Sequence, residues 1–160
     1  MSHEPPSLVV HLVQKQGVRE LAREVAKNRE LREEEIQLQM KILAVENAIS
    51  QNRANMDAIQ STLLRSLTSG SRLVWAKAQV EQLRGKNRSL ESEIVALRMR
   101  MEEVMHNVRQ SDQRLQTLHA RNNVLKDICT EQLRQQHMTQ EESLQEETVE
   151  DCSVCHRSDF

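Results

Sequence analysis

The sequence predicts an all-α fold of long coiled-coil helices, two of them joined near Ser69–Ser71, with a disordered acidic C-terminal tail. Three observations carry that prediction. Apolar residues recur at alternating three- and four-residue steps over most of the chain, the spacing that lines one face of a helix for packing against another. Helix breakers are nearly absent: there are 3 glycines and 2 prolines in 160 residues, and both prolines stand at Pro5 and Pro6. Aromatics are scarce, with one Trp, one Phe and no Tyr, so a thick core has little to be built from.

Residues 1–17 read as a partly disordered N-terminal segment. Within it Leu8, Val9, Val10, Leu12 and Val13 make a short apolar patch that Gly17 closes. A first helix is expected over residues 18–68. Its seam reads Leu31, Glu35, Leu38, Ile42, Val45, Ile49, Asn52, Met56, Ile59 and Leu63, apolar at eight of ten positions. The pattern breaks at residues 69–71, where Gly70 suits the end of one helix and Ser71 the N-cap of the next.

The second helix is expected over residues 72–138. With Val80 at heptad position a, the a positions are Val80, Asn87, Ile94, Met101, Val108, Leu115, Asn122 and Cys129. The d positions are Leu83, Leu90, Leu97, Val104, Ser111, Leu118, Leu125 and Gln132. An a-position Asn pairs across a parallel dimer in many coiled coils, which makes Asn87 and Asn122 candidate register pins. Trp75, beside Leu73 and Val74, is read as plugging the end of the helical hairpin. Arg84, Lys86, Arg88, Arg98 and Arg100 form a basic stretch interspersed with Glu91, Glu93, Glu102 and Glu103, which reads as a solvated face and not as a nucleic-acid surface.

Charge is distributed unevenly. Residues 1–70 carry nine basic and nine acidic groups, residues 71–138 twelve against eight, and residues 139–160 one against seven. That last segment is too acidic and too poor in apolar groups to order itself, and is expected to be a disordered tail. It contains Cys152-Ser153-Val154-Cys155-His156, a C-x-x-C-H pattern. Zinc wants four ligands, and Cys152, Cys155 and His156 supply three, so no metal site is expected there. No cofactor is expected either: the glycines at 17, 70 and 85 cannot build a phosphate cradle, and no nucleophile or metal motif occurs. The chain therefore reads as non-enzymatic. No apolar run is long enough for a membrane span, and the start has neither the basic region nor the apolar length of a signal peptide. With three cysteines, a reducing cytoplasmic or nuclear setting is expected.

The segment His11-Leu-Val-Gln-Lys-Gln-Gly-Val-Arg-Glu-Leu-Ala-Arg-Glu-Val, followed by the charged stretch 29–39, resembles the helix entry of the fifth subunit of the augmin complex. Residues 73–79, Leu-Val-Trp-Ala-Lys-Ala-Gln, are similar to a Leu/Ala/Gln-rich stretch of that subunit. The resemblance covers residues 10–84 and implies a structural subunit of a microtubule-branching assembly at the spindle and centrosome. The expected partners are other coiled-coil chains, in a hetero-oligomer, with microtubule association indirect and with no membrane or nucleic acid. The alternative expectation is a regulatory adaptor or kinetochore-type subunit, nuclear or at the kinetochore, that dimerises by its helices and recruits a partner through its acidic tail.

Overall fold

The computed structural model describes residues 6–65 and 70–155, with side chains for residues 8–65 and 70–146. Two helices, α1 (Pro6–Arg65) and α2 (Gly70–Cys155), pack against each other, and there is no strand among the described residues. Three boundaries differ from those expected. α1 begins at Pro6 rather than near Val18, since a proline in the first turn gives up no helical hydrogen bond. Gly70 opens α2 instead of closing α1, and its φ is not positive. Ser69, with residues 66–68, lies outside the described residues. The acidic stretch from Thr139, expected to be unstructured, has helical backbone as far as Cys155. That stretch holds no proline or glycine, and Thr139 donates its hydroxyl to the Gln135 carbonyl at 2.6 Å.

The chain forms two compact units, one of residues 26–112 and one of residues 1–25 with 113–160. In the 26–112 unit the two helices run antiparallel. Asn28 bonds Ser111 and Asn52 bonds Asn87, so 24 positions forward along α1 match 24 positions backward along α2. All ten α1 positions from Leu31 to Leu63 in the three-four pattern are buried or half-buried, as are the α2 a and d positions from Val80 to Ser111. Two apolar clusters form there. Leu38, Met101, Val104 and Val108 pack with Leu31, Ile42 and Leu97, while Val45, Ile49 and Ile94 pack with Leu90 and Leu97. Val104, 0% exposed, sits at the centre of the first. Burying one such aliphatic side chain contributes about 1.5–3 kcal/mol, which is why a thin seam with few aromatics still holds two helices together.

In the other unit the α2 seam continues through Leu115, Leu118, Asn122, Leu125, Cys129 and Gln132, all half-buried. Gly17 is buried and lies within α1. Its position is explained by Asn122, whose Nδ2 donates to the Gly17 carbonyl at 3.2 Å. A Cβ on residue 17 would collide with Asn122 Oδ1, so only glycine admits this approach. From Leu133 to Glu146 every side chain is exposed.

Candidate functional site: polar pins and exposed faces of the helix pair

At three places a polar seam residue meets a polar partner across the seam. Asn52 Nδ2 donates to Asn87 Oδ1 at 2.8 Å. Asn28 Nδ2 donates to Ser111 Oγ at 3.2 Å and to Asp112 Oδ1 at 2.8 Å, while Arg32 Nε donates to Asn28 Oδ1 at 2.9 Å. Arg32 also grips both oxygens of Asp112 at 3.0 Å, closing a four-residue network. The third is Asn122 on Gly17. Asn87 and Asn122, the candidate register pins, bond to α1 of their own chain, Asn87 to Asn52 and Asn122 to the Gly17 carbonyl. The physical reason is the antiparallel fold-back: it sets an a position of one helix beside a d position of the other, so Asn87 at a meets Asn52.

Ion pairs flank the seam. With Leu63 at position a of α1, Arg32–Asp112, Arg53–Glu91 and Arg98–Glu46 join e positions along one edge of the 26–112 unit, and Arg100–Glu34, at g positions, lies on the opposite edge. All are substantially exposed, and such pairs contribute ~0–1 kcal/mol each, so they favour this orientation more than they hold it. Hydrogen bonds to Glu34 and then Glu103 raise the Arg100 pKa above its ordinary value. In the 1–25 and 113–160 unit, Arg121 bonds and pairs with Glu20, which lowers the Glu20 pKa. There the Cys129 thiol donates to Gln14 Oε1 at 3.4 Å. Glu24 Oε1 and Asn122 Oδ1 are buried without a hydrogen-bond partner among the described residues.

The faces turned away from the seam are where the molecule is chemically open. Ile36, Met40, Leu43, Val95, Met99 and Met105 are all exposed. Ile36, Leu43 and Val95 occupy b positions and Met105 an e position. They therefore lie along the same edge as the Arg98–Glu46 pair, with Met40 and Met99 at the outer f positions. A groove of about 540 Å³ on that edge is lined by Ile49, Ile94 and Val95 together with Glu46, Arg53, Glu91 and Arg98. The sequence reading missed this stripe, although Ile36, Met40 and Leu43 are themselves spaced by four and three. A second groove, about 520 Å³, lies at the turn end and is lined by Ala58, Ile59, Thr62, Leu63, Arg72, Trp75 and Ala76. Trp75, expected to plug the hairpin end, is 62% exposed and forms one wall.

No family model, curated protein or solved structure matches the chain. Among the described residues no group of three His, Cys, Asp or Glu side chains is placed to hold a metal, and no helix is long and apolar enough to cross a membrane. The side chains of Cys152 and Cys155, and all of His156, lie outside the described residues. The basic residues Arg84, Arg98 and Arg100 all pair with glutamates, Glu81, Glu46, and Glu34 with Glu103 respectively.

Proposed function

We propose that this chain is a non-enzymatic structural subunit of a coiled-coil assembly, and that its partners are other helical chains laid along its outer face. The observation carrying this reading is the group of exposed apolar residues Ile36, Leu43, Val95 and Met105 along one edge, with Met40 and Met99 on the outer faces of α1 and α2, beside a seam that is already filled. Exposed apolar side chains gathered in this way mark a place where another chain packs. Methionine suits such a face, because its flexible side chain fits irregular partner surfaces. The cytoskeletal or mitotic placement, at spindle microtubules or the centrosome, rests on the resemblance of residues 10–84 to the augmin subunit.

A double substitution, Met40→Asp with Met99→Asp, tests the proposal. Both residues are exposed outside the seam, so the helical signal and the melting transition of the isolated chain should persist. The chains recovered with it by affinity purification from dividing cells should be lost. Recovery of the same chains by both proteins would overturn the docking face, and a tagged chain absent from spindle and centrosome would overturn the mitotic placement. A second reading is the adaptor that recruits a partner through its acidic segment. It is favoured by the run of exposed side chains from Leu133 to Glu146. Deleting residues 139–160 separates the two, since a scaffold keeps its partners and an adaptor loses one.

A further inference from the structure

The turn end of the 26–112 unit combines positive charge with exposed apolar surface. Residues 58–80 include Arg65, Arg72 and Lys77 and contain no carboxylate. Trp75, the only tryptophan, walls the groove with Ile59, Leu63 and Arg72, and is itself 62% exposed. Among the described residues Arg72 enters no ion pair. Trp and Arg are the residues in which binding energy concentrates, and here they stand together in a groove without a carboxylate in its lining.

The complementary chemistry is found elsewhere in the same sequence. Residues 139–160 carry seven acidic groups against one arginine, and their apolar groups include Leu144, Val149, Val154 and Phe160. The described side chains of that segment, residues 139–146, are all exposed. We propose that the acidic C-terminal segment of a second copy of this chain docks in the Trp75 groove. Its carboxylates meet Arg72, and an aliphatic or aromatic side chain covers the indole. Opposite charge steers the encounter and sets the orientation. The groove of one copy takes the tail of another, so the associated mass rises with concentration, in a reciprocal pair or a longer series. The proposal is independent of the outer methionine face, which Met40→Asp and Met99→Asp probe.

Trp75 is its own reporter, since the chain holds no second tryptophan and no tyrosine. For the full-length chain at low salt, Trp75 emission should shift to shorter wavelength with rising protein concentration, while the sedimenting mass grows in parallel. Both changes should reverse in about 1 M salt, where charges are screened beyond ~3 Å. Neutralising Glu141, Glu142, Glu146 and Glu147 to Gln in the full chain should weaken the association about tenfold or more, as should Arg72→Glu. Mixing the Arg72→Glu chain with a chain whose same four glutamates are lysines should restore it. A synthetic peptide of residues 139–160, in excess, should disperse the assembly while keeping the blue-shifted emission. Emission that never depends on concentration would overturn the proposal, including the case where salt alone moves it because the tail folds back within one copy. Self-association indifferent to Arg72→Glu and to the glutamate changes would overturn it too, and so would a Trp75 response to another protein but not to the peptide.

Discussion

Replacing the Asn52–Asn87 pair by leucine, singly and together, separates what this hydrogen bond contributes to stability from what it contributes to register. Asn87 is 6% exposed, whereas Asn52 is half-buried. Asn52→Leu strands the buried Oδ1 of Asn87, costing about 1–3 kcal/mol for an unsatisfied buried group. The half-buried leucine returns about 1 kcal/mol of apolar burial, so the net loss is about 1–2 kcal/mol. Asn87→Leu leaves behind only the Asn52 amide, which can turn to water, and buries a leucine well. That variant should be close to neutral. The double variant loses one hydrogen bond worth ~0.5–1.5 kcal/mol and gains two leucine contacts, so it should be more stable than the parent by about 1–3 kcal/mol. The pair's strong non-additivity is the signature of a buried polar contact. Urea unfolding of the full chain followed by circular dichroism, at unchanged m-value, measures all four corners of the cycle. Spin labels replacing Arg53 and Glu91, ion-paired at 3.4 Å, report the register. The double variant should add a population displaced by one heptad, about 10 Å along the helix. The reasoning is refuted if both single variants cost the same and the double costs their sum.

Val104→Ala removes two methylenes from a fully buried site and should cost about 2–3 kcal/mol once the cavity is included, whereas Val95→Ala on the exposed face should cost under ~0.5 kcal/mol, both read by urea unfolding. Gly85 has open space around its absent Cβ, so Gly85→Ala should stabilise α2 by about 0.8–1 kcal/mol through helix propensity. Gly17→Ala should fall short of that gain by about 1 kcal/mol, because Asn122 must turn away and give up its bond; equal gains at both sites would contradict the close approach. The Glu20 carboxyl is held below its ordinary pKa by Arg121, so its contribution is present above the unfolded-state value and lost as pH falls through the folded one. Carboxyl NMR titration should show Glu20 protonating below the ordinary glutamate value, and Arg121→Gln should move its midpoint back up.

The heptad spacing by itself determined that the chain is helical, that it breaks near residue 70, and which side of each helix turns inward. A residue's place on the helical wheel is a local property: Leu38, Val45 and Ile49, or Ile94, Met101 and Val104, share a face whatever covers it. Gly17 and Pro6 misled for the same local reason, since glycine reads as a breaker until a side chain from a distant helix is seen to need its missing Cβ. Trp75 was read as a plug from its apolar neighbours, although the α2 register carried back from Val80 sets it at c, one step off buried Ala76. The partner of Asn87, by contrast, was invisible. A period of seven is the same read in either direction and repeats at every heptad, so it fixes neither the orientation of two helices nor the register between them. Those were decided by the tertiary structure, where Asn28 with Ser111 and Asn52 with Asn87 satisfy one another in one antiparallel alignment, and a slip of a heptad either way would set Asn28 and Asn52 against aliphatic side chains.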